Sequence, residues 1–224
     1  MRTFTAWLLG MLLICAAPIA VAATEPTTDA QKTLYALGMI IGQNLGPFEL
    51  TQAELDVVKT GLTDTVLKKP GKVDLNAFMP KIQQLQQQRV ATTAATEKKS
   101  GQAFADKAAT EKGATKTGSG LVISTLKPGN GGAPKDTDSV RVHYHGTLTD
   151  GTVFDSSVQR GQPATFALNG VIPCFREGVQ LMKVGGKSRL VCPATLAYGD
   201  RGAPPKIRPG ATLVFEVELL EIVK

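Results

Sequence analysis

The residues best suited to chemistry lie in two adjacent segments, residues 140–146 and 150–157, which set Phe154 beside Asp155. Apolar and polar residues alternate along the first segment, which predicts a half-buried strand, and an Asp-Gly pair at 150–151 predicts a hairpin turn. No serine–histidine pair, cysteine nucleophile or metal cluster accompanies these residues in the sequence. The pattern therefore predicts an aromatic pocket that binds a substrate without forming a covalent bond to it.

The first residues of the chain are typical of a secretory signal. Arg2 precedes an apolar run at residues 7–14, which is too short to span a bilayer comfortably, and residues 20–22 fit a cleavage site. We therefore expect residues 1–23 to be a signal peptide, cleaved after Ala22 or Ala23, and the mature protein to be exported to the periplasm. An uncleaved membrane anchor is the alternative. The later sequence predicts no membrane span.

Charge and cysteine content narrow the functional classes. The chain has 224 residues, with 25 Lys and Arg against 19 Asp and Glu and a net charge of +6, and its lysines are scattered. Nucleic-acid binding is typical of denser basic runs, so we expect no nucleic-acid partner. Cys174 and Cys192 follow the signal sequence. In an oxidising compartment they are expected either to form one disulfide or to remain two buried thiols.

The first half of the mature chain has helical periodicity. Thr51 and Glu54 match a capping box, and Asp74 predicts the start of a third helix that Pro80 is expected to kink or restart. Short helices with wide apolar stripes bury only a small core alone. We therefore expect residues 24–85 to form a homodimerisation domain, and packing on the rest of their own chain is the alternative. The stripes are formed by Leu34, Leu37, Ile41, Leu45, Leu55, Val58, Leu62 and Val66.

The segment at residues 86–118 differs in composition from the helices before it. It is rich in Gln, Ala, Thr, Glu and Lys and has few apolar anchors. Such a composition predicts a solvated connecting helix with little to pack against. A partly disordered linker is the alternative.

Residues 119–224 are predicted to form a second domain of several strands and one short helix. This pattern predicts an α+β fold, in which an antiparallel sheet forms a half-barrel wrapped on the helix. An all-α N-terminal arm with a long connecting helix is expected to precede it. The strands are predicted at residues 121–126, 139–148, 166–168, 189–192 and 212–223, and the helix at residues 177–182.

Seven segments of this second half, taken in order, resemble those of FKBP-type peptidyl-prolyl cis–trans isomerases. The first half resembles the helical arm of the exported, dimeric, macrophage infectivity potentiator-like group, through residues 35–39 and the general layout. This resemblance implies an isomerase that assists the folding of exported proteins and forms a V-shaped homodimer. The seven segments are residues 142–146, 151–157, 171–173, 177–178, 182–186, 196–199 and 211–219.

The resemblance also implies the site residues. Phe175 would be the floor of the pocket, and Ile207 would lie on a flap over it. Asp155 and Tyr198 would be the polar groups, with Tyr198 donating a hydrogen bond to a substrate carbonyl. The walls would be Tyr144, Phe154, Val171, Ile172 and Phe215. Catalysis is expected from Tyr144, Phe154, Asp155 and Tyr198, and substrate binding from the other five.

No cofactor or metal is expected at this pocket. His143 and His145 share one strand face, but no third ligand lies near them in the sequence. A carboxylate among apolar residues needs a partner, and Arg160 and the Tyr144 hydroxyl are the two candidates for Asp155. The expected partners are proline-containing, unfolded or partly folded exported proteins, together with macrolide inhibitors.

Such a pocket suits the isomerisation reaction. The X–Pro bond rotates over a barrier of about 18–20 kcal/mol because resonance holds the amide flat, and uncatalysed exchange takes roughly tens to hundreds of seconds. A site that holds the twisted amide more tightly than either planar form speeds the exchange without a covalent step. The alternative function is a holdase chaperone or binding module with little catalysis, because isomerisation itself requires neither the arm nor the connector.

Overall fold

The computed structural model describes residues 25–223, so the predicted signal peptide lies outside the described residues. Within that range, no helix has the length and apolarity to cross a membrane. The chain forms two compact units that divide between Met39 and Ile40. The elements in chain order are α1 (Asp29–Leu45), α2 (Gln52–Val66), α3 (Leu75–Ala109), β1 (Ala114–Lys116), β2 (Val122–Lys127), β3 (Ser139–Leu148), β4 (Val153–Ser156), β5 (Ala164–Ala167), α4 (Pro173–Gln180), β6 (Lys187–Cys192) and β7 (Leu213–Val223).

Helices α1 and α2 carry the apolar stripes that the sequence predicts, and each stripe is partly exposed. The Thr51 hydroxyl accepts a hydrogen bond from the Glu54 N–H at 3.4 Å, and the Glu54 carboxylate accepts one from the Thr51 N–H at 2.8 Å, which confirms the capping box. Neither helix contains a buried residue. Leu34 and Val66, for example, are each 68 % exposed. Within residues 25–223, half of the stripe residues are therefore exposed and the other half are half-buried.

Helix α3 is one continuous helix across the predicted third helix and most of the predicted connector. The Asp74 side chain caps it by accepting a hydrogen bond from the Asn76 N–H at 3.0 Å. The helix then continues through Pro80 to Ala109, so it does not restart at the proline and the connector is helical as far as Ala109. A proline this close to the start of a helix removes one of many backbone hydrogen bonds, and the remaining turns hold the helix together.

The last turns of α3 pack on the sheet, which corrects the prediction of a solvated connector. Ala105 and Ala108 are buried against Val122, Val191 and Val214, one valine from each of three strands. Alanine adds little to the hydrophobicity of a segment, yet its small side chain lets a helix backbone approach a sheet closely. The composition of residues 86–118 therefore gave no indication that one face of this segment packs on the sheet.

The strands form one antiparallel sheet in the order β1-β2-β6-β7-β3-β4, and β5 pairs with the first half of β3. Strand β3 occupies residues 139–148 as predicted and pairs with β7 along its whole length. Strand β1 was not predicted. It pairs with β2, so the sheet begins at Ala114, before the expected start of the domain at residue 119.

Helix α4 packs on one face of the sheet and completes the main core. It begins at Pro173, earlier than predicted, because proline suits the first position of a helix. Phe175 and Val179 of α4 share an apolar cluster with Leu190 of β6 and Val217 of β7, and all four are buried. The predicted α+β fold, with helices before an antiparallel open sheet, is confirmed.

A disulfide lies in the first turn of α4. The structure joins Cys174 to Cys192 at the end of β6, with the two Cα atoms 5.6 Å apart, a separation that a disulfide spans without distortion. Both cysteines are fully buried. The bond therefore ties the helix that carries Phe175 to the sheet.

Removal of this disulfide is expected to lower the free energy of unfolding by about 3 kcal/mol, because the cross-link closes a loop in the unfolded chain. The two cysteines are 18 residues apart. Urea unfolding with and without a reductant measures the change. A Cys174→Ala/Cys192→Ala variant, which should not respond to the reductant, is the control. Equal unfolding midpoints of the unaltered protein in the two conditions would contradict this prediction.

Candidate active site

Five aromatic rings meet on the face of the sheet that α4 covers. The ring of Phe175 lies, between centroids, 5.5 Å from Phe215, 6.1 Å from Tyr144 and 6.0 Å from Phe166. The ring of Phe154 contacts Phe215 at 5.5 Å. These four contacts have interplanar angles from 78° to 86°, the edge-to-face geometry that aromatic pairs prefer. Phe175 is thus the common neighbour in a continuous ring cluster.

Gly146 lets two of these rings approach strand β3. It lies on β3, opposite Asp155 of β4 and Phe215 of β7. A Cβ atom at this position would lie 2.6 Å from Phe154 Cζ and 3.2 Å from Phe215 Cε1. Glycine inside a strand often marks such a close approach. Its missing side chain therefore sets how deeply the two rings lie.

A hydrogen-bonded trio of polar side chains borders the rings. The Tyr144 hydroxyl donates to Asp155 Oδ2, the Arg160 guanidinium pairs with Asp155 Oδ1, and Arg160 Nη2 donates to the Tyr144 hydroxyl at 2.9 Å. Both candidate partners of Asp155 therefore bind it. The Asp155 side chain is 44 % exposed, whereas Tyr144 is 6 % exposed. The carboxylate thus lies at the boundary between the rings and solvent.

The trio fixes the protonation states of its members. Burial alone would raise the pKa of Asp155, but hydrogen bonds from Tyr144 and Arg160 outweigh burial and hold that pKa below its usual value. Burial raises the pKa of Tyr144, and the hydrogen bond to Asp155 raises it further. Near neutral pH, Asp155 is therefore a carboxylate and Tyr144 is a neutral hydrogen-bond donor.

The other predicted site residues lie at different depths around the rings. Ile207 is buried in the same apolar cluster as Phe175. Val171 and Ile172 are half-buried and pack against this cluster. Tyr198 is 42 % exposed. The structure therefore brings the three aliphatic side chains to the rings and leaves the Tyr198 side chain open to solvent.

Two residues at the site were not predicted. Phe166 of β5 lies 5.7 Å from Tyr144 between ring centroids and is placed by the pairing of β5 with β3. An aromatic residue in a predicted strand was a signal that could have marked it. Lys206 Nζ donates to the carbonyl oxygen of Phe154 at 2.9 Å. This contact joins residues that are distant in the sequence, and no local pattern could reveal it.

Two serine–histidine contacts correct the prediction that no such pair accompanies these strands. His145 Nδ1 lies 2.9 Å from Ser156 Oγ, and His143 Nδ1 lies 3.2 Å from Ser157 Oγ. Both serines are buried, and their hydroxyls also accept backbone N–H groups at 3.1 Å and 2.8 Å. Such hydroxyls are inaccessible to a substrate, so the pairs fasten β4 to β3. Residues 25–223 hold no group of His, Cys, Asp and Glu able to bind a metal.

Comparison with known proteins identifies the family. Residues 130–220 match the FKBP-type peptidyl-prolyl cis-trans isomerase model, and residues 30–123 match the domain amino-terminal to such isomerases. The FKBP-type peptidyl-prolyl cis-trans isomerase FkpA of Aeromonas hydrophila is 42 % identical over 212 residues, which cover 89 % of this chain and 79 % of that protein. The chain belongs to the FKBP-type peptidyl-prolyl cis–trans isomerase family. Its function is therefore the isomerisation of prolyl peptide bonds.

Further relatives of this FKBP-type isomerase agree over most of its length. The FKBP-type 22 kDa isomerase of Escherichia coli K12 is 40 % identical, covering 89 % of this chain and all of that protein. The outer membrane protein MIP of Legionella longbeachae is 34 % identical over 233 residues. The crystal structure of FkpA from Escherichia coli has a TM-score of 0.67 at 38 % identity, covering 88 % of this chain and 97 % of that one. The predicted family is confirmed.

Proposed function

We propose that this isomerase holds a prolyl peptide bond against the ring cluster and favours its twisted form. The single observation that carries the proposal is the Tyr144–Asp155–Arg160 trio fixed at the solvent boundary of five contacting rings. Aromatic side chains provide an apolar surface for the proline ring. A twisted amide has lost its resonance and is less polar than a planar one, so an apolar site binds it better relative to water.

The residues have distinct roles in this proposal. Phe175 is the floor, and Phe154 and Phe215 form the wall beside Gly146. Asp155 holds the Tyr144 ring in place and, as a carboxylate, supplies a fixed negative charge near the bound peptide. Tyr198, whose side chain is open to solvent, donates a hydrogen bond to a substrate carbonyl. Val171, Ile172 and Ile207 enclose the proline ring.

A proline-peptide isomerisation assay tests this site. The full chain should accelerate cis–trans exchange, and Phe154→Ala should reduce the rate with the fold intact. Phe104→Ala is the matched control, because Phe104 is a partly buried phenylalanine of α3 in a different apolar cluster. Unchanged rates in both Phe154→Ala and Asp155→Ala would remove the proposed site.

The isomerase activity is expected to be level across neutral pH and to fall in acid. The lowered pKa of Asp155 keeps its carboxylate ionised above the ordinary carboxyl pKa of about 3.9. The stability that the trio contributes is present above that value and is lost as the pH falls through the lower pKa of the folded protein. Measurement of kcat/KM against pH, with circular dichroism at each point, checks this. A loss of activity between about pH 5 and pH 7, where histidine titrates, would contradict it.

We propose further that residues 24–85 pair with a second copy of the chain. Large apolar side chains of α1 and α2 are exposed, and covering them by pairing would bury apolar surface. Sedimentation equilibrium is expected to give the mass of two chains. A Leu37→Asp/Leu62→Asp variant should give one chain, whereas Thr33→Asp, at an exposed polar position of α1, should leave the mass unchanged. A monomeric wild-type protein would contradict this proposal.

Export to the periplasm, with unfolded exported proteins as substrates, completes the proposal. The export is inferred from the predicted signal sequence, and the substrates are those that the family resemblance implies.

The exposed apolar arm also favours a second activity, the binding of unfolded chains. A variant with Asp155→Ala that still suppresses aggregation of an unfolded protein would assign that activity to the arm. Loss of both activities together would place them in the same pocket.

A further inference from the structure

The flap over the ring cluster is a closed loop of residues 199–210. The Gly210 N–H donates to the Gly199 carbonyl at 2.9 Å and closes the base of the loop. Within it, Ala203 and Ile207 exchange two backbone hydrogen bonds of 2.8 Å and 3.0 Å. The loop is therefore bridged by backbone hydrogen bonds both at its base and at Ile207. Because of these bonds, a displacement of the base also moves Ile207.

The inner side of the flap contacts the proposed active site. Ile207 is 5 % exposed and packs in the cluster that contains Phe154, Phe175 and Phe215. The neighbouring Lys206 binds the Phe154 carbonyl oxygen. The height of the flap therefore determines the space above the rings.

The outer side of the flap rests on helix α3. A Cβ atom on Gly210 would lie 2.4 Å from the Ala94 carbonyl oxygen and 2.7 Å from Ala94 Cα, so the two backbones are in direct contact. Beside this contact, Arg208 lies 3.5 Å from Glu97, and Asp200 pairs with Lys98. These ion pairs are exposed and individually weak, so the backbone contact at Ala94 is the main support.

A second contact lies where the chain leaves the flap for β7. A Cβ atom on Gly101 of α3 would lie 2.0 Å from Thr212 Oγ1. Beyond the Ala94 contact, a cleft of about 250 Å³ separates α3 from the flap prolines. The flap is therefore supported at its base, and the cleft leaves space beside its tip.

We propose that helix α3 positions the flap of the active site through Ala94 and Gly101, so that this helix sets the height of Ile207 above the rings. This inference rests on the proposed site. Ala94 and Gly101 act as positioning residues, since neither touches the substrate. Ala94 is 4 % exposed and Gly101 is buried, so a bulky side chain at Ala94, or a Cβ atom at Gly101, would lift the flap from the pocket.

Steady-state isomerisation by the full-length protein tests the inference. Ala94→Leu should lower kcat/KM about tenfold, because a displacement of about 1 Å at a reacting site can lower a rate by up to about 100-fold. KM should rise as Ile207 withdraws, whereas a merely destabilised protein would have a smaller active fraction and an unchanged KM. Ala95→Leu, an exposed neighbour on the same helix, is the matched control. Ala94→Ser should retain wild-type activity.

Gly101→Ala provides a second test, which remains available if the Ala94→Leu protein does not fold. Alanine strengthens a helix interior by about 1 kcal/mol over glycine, so a rise in KM cannot come from melting of α3. Folded Ala94→Leu and Gly101→Ala proteins that match Ala95→Leu in kcat and KM would overturn the inference. If Phe154→Ala loses activity while Ala94→Leu and Gly101→Ala do not, the proposed site is still supported and only the role of α3 is refuted. An inactive wild-type protein would instead refute the proposed function.

Discussion

Replacement of Asp155 by alanine is expected to lower kcat/KM for a proline peptide by about 10- to 100-fold. The carboxylate accepts the Tyr144 hydroxyl and pairs with Arg160, so its loss leaves both groups without this partner. A hydrogen bond to a charged group contributes about 1.5–3 kcal/mol, and about 1.4 kcal/mol corresponds to a tenfold change in rate. The Tyr144 hydroxyl would also lose one of the two hydrogen bonds that fix its ring beside Phe175.

Glu216→Ala is the matched control for this substitution. Glu216 lies on β7, which β3 separates from the strand of Asp155. It pairs with Lys187 at 2.6 Å and has a side chain 45 % exposed, close to the 44 % of Asp155. Asp155→Asn keeps an acceptor oxygen but loses the charge, so its rate should lie between those of the wild type and Asp155→Ala. Equal rates for Asp155→Ala and Glu216→Ala, both folded, would show that the trio has no part in catalysis.

The strands that carry the site could be predicted because one face of the sheet is buried. Alternation along residues 139–148 fixes which side chains point inward, and a shift by one residue would reverse all of them. This alternation assigns Tyr144 on β3 to the inner face, and a similar alternation along β7 assigns Phe215 to it. Both side chains are buried. The Asp-Gly turn then places Phe154 on the neighbouring strand, beside the same face.

The contacts that hold the flap could not be predicted in this way. Ala94 and Gly101 carry almost no hydrophobic signal, since Ala94 meets Gly210 through its backbone and Gly101 leaves room for the Thr212 side chain. Lys206 binds a backbone carbonyl, a partner that every residue offers. Such contacts depend on the meeting of segments distant in the chain, and only the folded backbone brings them together.

Substitution of Gly146 by alanine is the second large effect, expected to lower kcat/KM about 10- to 100-fold. The new Cβ atom would lie 2.6 Å from Phe154 Cζ and 2.8 Å from Phe154 Cε2, so the ring must move. A shift of about 1 Å in a group that orients the substrate can lower a rate by about 100-fold. Alanine also has less backbone freedom to lose than glycine in a strand. A lower rate could therefore not be attributed to a larger loss of backbone entropy on folding.

Gly170→Ala is the control for this substitution, because a Cβ atom at Gly170 meets nothing within 4 Å. Overpacking in Gly146→Ala should lower the free energy of unfolding by about 1–3 kcal/mol. A Gly146→Ala/Phe154→Leu variant should recover much of that stability, since leucine lacks the ring atoms that clash, but it should not recover the rate. Recovery of both would mean that Phe154 acts only in packing. Recovery of stability alone would place the Phe154 ring in the substrate site, with Gly146 as the residue that leaves room for it.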